Sequence, residues 1–234
     1  CLRKPKTIVL VGDSHARSLS YGLHQKLQDE RFNLVTITEK GCIPVKGISS
    51  DKTSISCLKY KDFIYDIFKT YDHTIIMSAR WRWHMQGTRW DNGEGGVEEG
   101  FSMKPVVIGN KNLTTEEYLL NELQRLNRSN KIVLISQIPE VGIDVLKYEF
   151  LNRNDQYFKY THSYDNYLSA NSSLISKFNS IDKLQIIRPD KYVCDEVSRR
   201  CEVKINNNIL YYDTDHPTDY FANILGAELL RLLD

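Results

Sequence analysis

The residues with the clearest chemical potential form the run Gly12-Asp13-Ser14-His15. An apolar run over 7–11 precedes it, and apolar residues at helical spacing follow it. The pattern therefore places Ser14 where a buried strand gives way to a helix. Backbone N–H groups at a helix N-terminus favour negative charge, so a serine there can attack a carbonyl while neighbouring N–H groups stabilise the oxyanion.

A serine nucleophile needs a base, and His216 is the histidine with the most informative surroundings. It lies in the run YYDTDHPTD, where Asp213 precedes it by three residues in a predicted turn before the last helix. The Asp213 carboxylate can hold the imidazole Nδ1–H and leave the other ring nitrogen for Ser14, as in a serine triad. Asp215 is the competing orienting residue, but its place next to His216 predicts that its side chain diverges from the ring.

Each segment has an ordinary explanation when it is considered alone. Ser14 or Asp13 can simply cap a helix, and most Asp-x-x-His sequences are surface turns. Their occurrence together at two strand-to-helix junctions favours a triad. Asp13 is predicted to brace the turn through backbone hydrogen bonds. His15 is predicted to be structural, because it cannot share the direction of Ser14.

Three familiar motifs do not occur in the sequence. Without G-x-S-x-G, the common α/β-hydrolase interpretation is disfavoured. Without G-x-x-x-x-G-K-[ST] or G-x-G-x-x-G, nucleotide binding has no motif support.

The order of the predicted elements indicates how the two segments are positioned. Strands are predicted at 7–11, 32–38, 73–79, 131–139 and 184–188, and helices at 16–29, 58–70, from Thr114, at 164–179 and from Thr218. This alternation predicts the α/β class, a three-layer α/β/α sandwich with a mostly parallel sheet, in a single domain over 1–234. Residues 40–56, 80–112 and 140–162 show no clear period, and a hairpin pinned by cysteines is predicted within 193–213.

Composition excludes some classes of function. The 31 lysines and arginines nearly balance the 30 aspartates and glutamates, so nothing indicates a nucleic-acid partner. No apolar run approaches the ~20 residues that cross a bilayer. The sequence starts at Cys1, so we expect an excerpt or a processed product.

Four of the five cysteines form two local pairs, Cys42 with Cys57 and Cys194 with Cys201. Neither pair has the C-x-x-C spacing of a zinc or redox site. Two disulfides in an oxidising compartment are the economical interpretation. The alternative is four reduced core cysteines. Cys1 is left over, either to pair outside this segment or to remain a free thiol.

The two chemical segments resemble the first and last sequence blocks of the SGNH (GDSL-like) hydrolase superfamily, whose sheet is flavodoxin-like. More narrowly, the chain resembles the C-terminal periplasmic SGNH domain of OafA/OafB-like membrane-bound sugar O-acyltransferases. The narrower resemblance rests on GDSHARSL, on GCIPV after the second strand, on IIMSARW after the third, and on a cysteine pair leading into LYYDTDH.

The resemblance implies roles for particular residues. Ser14 and His216 match the serine and histidine of the superfamily name. Gly41 corresponds to the glycine that donates a backbone N–H to the oxyanion, with a simple turn glycine as the alternative. The expected asparagine is missing, because the third strand is followed by the run Ser78-Ala79-Arg80-Trp81. Arg80 is then a candidate oxyanion donor, with a structural ion pair as the alternative.

The three tryptophans fall in or near the stretch without periodicity. Trp81 is a candidate for stacking on a sugar ring at the cleft mouth, and Trp83 and Trp90 are weaker ones. The alternative for all three is packing of a long loop onto the domain.

The resemblance implies serine-dependent transfer of an acyl group, acetyl above all, to a cell-envelope glycan such as lipopolysaccharide O-antigen. It implies no metal or cofactor. The implied partners are an acyl donor, a glycan acceptor and a transmembrane acyltransferase domain N-terminal to this segment. The implied location is the periplasm, with tethering to the inner membrane. The alternatives are a stand-alone carbohydrate O-acetylesterase, a non-catalytic glycan- or partner-binding module, and a flavodoxin-like binder of phosphate or flavin.

Overall fold

The computed structural model describes residues 6–28, 32–70, 74–98, 100–109, 112–155 and 160–233. Its strands are β1 (Lys6–Gly12), β2 (Phe32–Thr38), β3 (Ile48–Ser50), β4 (Thr74–Ser78), β5 (Pro105–Val107), β6 (Lys131–Ile135), β7 (Thr161–Ser163), β8 (Gln185–Ile187), β9 (Cys194–Asp195), β10 (Arg200–Glu202), β11 (Lys204–Ile205) and β12 (Asn208–Ile209). Its helices are α1 (Ser14–Gln28), α2 (Ile55–Thr70), α3 (Trp81–Gln86), α4 (Thr115–Ser129), α5 (Val145–Leu151), α6 (Tyr164–Asn179), α7 (Asp190–Val193) and α8 (Asp219–Leu233).

The centre of the fold is a five-stranded sheet in the order β2-β1-β4-β6-β8. Every pairing in it is parallel, which confirms the predicted α/β class. Gly12, the last residue of β1, is in register with Thr38 of β2 and Ser78 of β4. The carboxyl ends of these three strands therefore lie side by side at one edge, where open α/β sheets bind ligands.

Alternating side chains of β1 build the two hydrophobic cores. Ile8 and Leu10 are buried with residues of α1 and α8 on one face. Val9 and Val11 are buried on the other face with residues of α2, α4 and α6. A central parallel strand is apolar on both faces because helices cover both. The helices on the two faces and the sheet between them form the three-layer arrangement that the order of elements predicted.

Helices α1 and α8 lie against each other at a glycine. A Cβ atom on Gly22 would lie 2.6 Å from the Cβ of Ala222 and 2.4 Å from the carbonyl oxygen of Asp219. Only a residue without a side chain permits this approach. The contact joins the helix that begins at Ser14 to the helix that follows His216, so the two ends of the chain meet.

Several elements differ from the sequence predictions. Strand β6 ends at Ile135, not at 139, and the chain continues as a buried loop. Strands β3 and β5 pair with each other, and α3 and α5 form in stretches without a clear period. The predicted hairpin is two hairpins, β9-β10 and β11-β12. The capping box at Thr114 is confirmed. His73, predicted in a strand, lies outside the described residues, as does Cys1.

The four paired cysteines form two disulfides. Cys42–Cys57 joins the loop after β2 to the first turn of α2, with the Cα atoms 5.5 Å apart. Cys194–Cys201 joins directly opposed residues of β9 and β10. Cys57 thus lies in a helix, whereas the sequence placed it in a loop. In the described part of the chain, no helix combines the length and apolarity that a bilayer crossing requires.

His162 is a buried histidine without hydrogen bonds in the small sheet β7-β10-β9. Its side chain is fully buried opposite Cys201, and neither ring nitrogen has a hydrogen-bond partner within the described part of the chain. Burial and the nearby Arg200 lower the pKa of His162 to about 4. An unfolded histidine titrates near 6.5, so the unfolded chain binds a proton that the folded chain does not. The free energy of unfolding should therefore fall as the pH decreases from 6.5 towards 4.

We expect this one histidine to account for up to about 3 kcal/mol of that loss. The variant His162→Leu cannot take up the proton, so its unfolding free energy should fall less between pH 7 and pH 4.5 than that of the wild type. Urea unfolding at the two pH values measures this, with the exposed His24→Leu as the matched control. Parallel losses in His162→Leu and wild type would contradict the prediction.

Candidate functional site

A cleft of about 280 Å³ opens at the carboxyl edge of the sheet. Its lining includes Ser14, Gly41, Arg80, Trp83 and His216, which come from four separate segments of the sequence. Two larger surface cavities, of about 400 and 450 Å³, lie where β6 begins. Neither has a histidine among the described residues that line it. The cleft is therefore where the predicted chemical residues meet.

The buried carboxylate of Asp13 fixes the turn that carries Ser14. It accepts hydrogen bonds from the backbone N–H groups of His15 and Arg80 and from Nε2 of His84, each at 2.9 Å. Burial raises the pKa of Asp13, but the hydrogen bond from His84 and nearby positive charge lower it, with a net pKa below the usual value. The predicted bracing role of Asp13 agrees with these contacts, although the sequence did not point to His84.

Gly12 allows the turn to sit tightly against the neighbouring strand. A Cβ atom at this position would lie 1.7 Å from the carbonyl oxygen of Ser78. The hydroxyl of Tyr60 accepts a hydrogen bond from the Gly12 N–H at 2.8 Å and donates one to its carbonyl oxygen at 3.1 Å. The turn that carries Ser14 is therefore held from both sides before α1 begins.

His216 and Asp213 form a hydrogen-bonded pair. Nδ1 of His216 lies 2.8 Å from Oδ2 and 3.1 Å from Oδ1 of Asp213. Oδ1 also accepts the backbone N–H groups of Asp215 and His216, at 3.0 and 2.8 Å. Burial lowers the pKa of His216, but the hydrogen bond that its ring donates to Asp213 and the charges of both aspartates outweigh burial and raise the pKa above its ordinary value.

A second pair, His15 with Asp215, lies beside the first. Nε2 of His15 donates to Oδ2 of Asp215 at 2.9 Å, and both side chains are buried. The rings of His15 and His216 are 5.2 Å apart between centroids, which brings the segment after Ser14 against the loop that carries His216. Burial raises the pKa of Asp215, but His15, Arg80 and His216 lower it to well below its usual range. Sequence reasoning expected Asp215 to diverge and did not foresee this bond.

Arg80 forms a structural ion pair, which was the alternative to its predicted role as an oxyanion donor. Its guanidinium donates to both oxygens of Glu98 and to both oxygens of Glu140, and its Nε lies 3.3 Å from Asp215. Its backbone N–H is used by Asp13. Because two buried glutamates pair with the side chain, these contacts favour the structural ion pair over the predicted use of Arg80 as an oxyanion donor. The glutamates come from irregular segments, so no sequence period could have identified them.

Trp81 is fully buried, which contradicts its predicted stacking on a sugar. Its Nε1 donates to the carbonyl oxygen of Ile135 at 2.8 Å, and its ring meets Phe178 edge-on. Trp83 is the tryptophan that lines the cleft, where it packs edge-to-face against the exposed Phe101 with centroids 5.8 Å apart. Trp90 is buried, so packing accounts for it.

Gly41 lines the cleft with a φ of 64°. Its position permits the predicted oxyanion contact. Within the described ranges, its backbone N–H donates to no protein group. Its role as a donor stays a prediction.

The Ser14 hydroxyl makes no hydrogen bond to His216 or to any other described residue. In enzymes without substrate such bonds are often long, and they tighten when substrate binds. One described group has metal-ligand geometry, namely His15, Asp215 and His216, whose ligand atoms lie within 4.8 Å of one another. Hydrogen bonds within the two histidine–aspartate pairs already account for these atoms.

The parallel sheet and the cleft at its carboxyl edge define a domain of the SGNH type. The model of the family described as "SGNH domain (fused to AT3 domains)" matches residues 1–231. The chain belongs to this family, and the resemblance inferred from the Ser14 and His216 segments is confirmed. No curated protein matches the chain.

Three solved structures are similar to the chain, and the first of them, with a TM-score above 0.5, shares its fold. The periplasmic domain of the lipopolysaccharide acetyltransferase of Salmonella ser. Paratyphi A is 17% identical, with a TM-score of 0.65, over 100% of this chain and 85% of that one. A candidate platelet activating factor from Streptococcus pneumonia is 13% identical, with a TM-score of 0.48, over 100% and 86%. A possible lipase from Chitinophaga pinensis DSM 2588 is 14% identical, with a TM-score of 0.43, over 97% and 98%.

Removal of the Asp13 carboxylate should destabilise the fold. In Asp13→Ala the N–H groups of His15 and Arg80 and the ring of His84 lose their acceptor in a buried site, which costs about 3 kcal/mol. Asp13→Asn keeps one acceptor oxygen and should lose less. Urea unfolding at neutral pH measures both variants. Equal stability of Asp13→Ala and the wild type would show that the carboxylate does not brace the turn.

Proposed function

We propose that this domain transfers an acyl group, acetyl in the first place, to a hydroxyl of a cell-envelope glycan through an acyl-enzyme on Ser14. The observation that carries the proposal is the meeting of Ser14 and the Asp213–His216 pair in one cleft. A partly exposed serine at a helix N-terminus, beside a histidine whose Nδ1 is held by a carboxylate, fits nucleophilic catalysis.

In the first step the Ser14 oxygen attacks the acyl carbonyl while the free nitrogen of His216 takes the hydroxyl proton. The tetrahedral oxyanion collapses, the bond to the leaving group breaks, and His216 returns the proton to that group. The acyl group is then an ester of Ser14. Asp213 keeps the proton on Nδ1 and stabilises the imidazolium.

In the second step a sugar hydroxyl attacks the Ser14 ester. His216 removes its proton, the new ester forms on the sugar, and Ser14 recovers its hydrogen from His216. Water in place of the sugar gives hydrolysis by the same route. The acceptor alone therefore separates a transferase from an esterase.

The oxyanion is assigned to backbone N–H groups. Ser14 is the first residue of α1, so its N–H has no partner within the helix. Gly41 also lines the cleft and offers a second N–H. With Arg80 neutralised by Glu98 and Glu140, these two N–H groups are the donors in our proposal.

The same proposal places the domain in the periplasm, attached to a transmembrane acyltransferase domain that supplies the acyl group. Two disulfides support an oxidising compartment. The family description, with its fusion to AT3 domains, supports the attachment. The Salmonella domain, described as part of a lipopolysaccharide acetyltransferase, supports the glycan acceptor by analogy of fold.

The first test is hydrolysis of p-nitrophenyl acetate, compared between wild type and Ser14→Ala. We expect release of p-nitrophenol by the wild type and loss of at least ~1000-fold in the variant. Transfer is then measured as acetylation of an added glycan acceptor in competition with water. A variant as active as the wild type would favour a non-catalytic binding module.

The pH dependence of that hydrolysis tests the base. Because the aspartates raise the pKa of His216, kcat/KM should fall as the pH decreases through a midpoint above 6.5. Asp213→Asn should lower the midpoint and reduce kcat by ~100-fold or more, since the ring loses its orienting carboxylate. A midpoint that does not change in Asp213→Asn would exclude Asp213 as the partner of the base.

A further inference from the structure

Two carboxylates face the same nitrogen of His216. Nδ1 lies 2.8 Å from Oδ2 of Asp213 and 3.5 Å from Oδ1 of Asp215. The single Nδ1–H can be donated well to one of them. The choice sets the orientation of the ring and therefore the direction of the nitrogen that serves Ser14.

Asp215 does not take the Nδ1–H of His216, because its carboxylate oxygens already contact other groups. Oδ2 accepts from Nε2 of His15 at 2.9 Å and lies 3.3 Å from Nε of Arg80. Oδ1 accepts from the hydroxyl of Thr214 at 2.8 Å. Both oxygens are therefore engaged, and Asp213 is the carboxylate that is free to hold His216.

The bond from His15 also spans the site. His15 directly follows the proposed nucleophile, and Asp215 directly precedes the proposed base, 200 residues later. The His15 side chain is fully buried and that of Asp215 is 7% exposed, so water does not compete for the bond. A bond with these ends controls the separation of Ser14 and His216.

We propose that His15 is a positioning residue: by binding Asp215 it keeps that carboxylate from His216 and holds the base loop at the correct distance from Ser14. This inference rests on the proposed function, because it concerns the alignment of the reacting groups. A displacement of ~1 Å between such groups can cost ~100-fold in rate.

The charged and titratable groups around His216 come from several elements. They are Asp213 and Asp215 on its own loop, Asp13 and His15 at the junction of β1 and α1, Arg80 after β4, and Lys40 and Glu98 elsewhere on the cleft wall. Among the charged groups of the described residues, Asp215 alone is both in contact with His15 and within 4 Å of the His216 ring nitrogen. A change at His15 therefore alters the charge beside His216 through Asp215, in addition to the direct packing of the two rings.

The positioning role of His15 predicts that His15→Leu and Asp215→Asn shift the pH midpoint of activity in opposite directions. In His15→Leu, the Asp215 carboxylate loses its buried donor and turns towards His216, so the midpoint of activity should move to higher pH. In Asp215→Asn, one negative charge beside His216 disappears, so the midpoint should move to lower pH. A merely structural pair would not shift the two midpoints in opposite directions.

The experiment measures covalent labelling of Ser14 by a fluorophosphonate from pH 5 to pH 9, which requires no knowledge of the natural substrate. We expect His15→Leu to label ~10-fold or more slowly than the wild type with a raised midpoint. His15→Gln, whose amide can still donate to Asp215, should recover most of the rate. The matched control is His24→Leu, which changes an exposed histidine of the same helix and should leave the labelling rate and its midpoint as in the wild type.

The outcomes separate this inference from the function on which it rests. If the wild type is not labelled, or Ser14→Ala is labelled equally, the proposed function fails. If the wild type is labelled and His15→Leu has the same rate and midpoint, the positioning role fails while the function stands. If circular dichroism shows that His15→Leu does not fold, the variants Asp215→Asn and His15→Gln decide the question. The inference is overturned if the midpoint of labelling is unchanged in Asp215→Asn. It is also overturned if the midpoints of both variants shift in the same direction.

Discussion

The buried carboxylate of Asp13 is the interaction on which the site depends. It joins the end of β1 to Arg80 in the segment between β4 and α3 and to a histidine of α3. A buried ionised group is costly unless it is hydrogen-bonded, and here two backbone N–H groups and one imidazole donate to the carboxylate. The turn is therefore most stable in the one geometry that keeps these hydrogen bonds. Because Ser14 follows Asp13 as the first residue of α1, this geometry also fixes the position of Ser14.

The same principle extends across the cleft. Arg80 is a buried cation that contacts the buried carboxylates of Glu98, Glu140 and Asp215, and Asp215 also accepts a hydrogen bond from His15. Hydrophobic residues of similar volume would often be as stable as such a network. Its value is in specificity, because opposed charges in a low-dielectric site hold side chains in one arrangement. The loop that carries His216 is positioned by this network and by the packing of α8 on α1.

Much of the fold could be predicted because the signals were local. The run 7–11 is apolar on both faces, which is typical of a central parallel strand, and Thr114 with Glu117 marks the start of α4 through a capping box. Strands β3 and β5 could not be predicted, since each has three residues and is stabilised by pairing with the other. Trp81 was misjudged because burial of an aromatic ring depends on what packs above it, and here that is Phe178 of α6.

The sequence by itself determined which residue types stand at the two strand-to-helix junctions, and hence that Ser14, Asp213 and His216 were candidates for one site. Their local neighbours encode the turns, the caps and the apolar faces that bring those junctions to one sheet edge. Only the tertiary structure decided that Asp215 binds His15, that Arg80 is neutralised by Glu98 and Glu140, and that Asp213 holds His216. These partners lie far apart along the chain or compete at nearly equal spacing, so their choice depends on burial and distance, which no linear pattern contains.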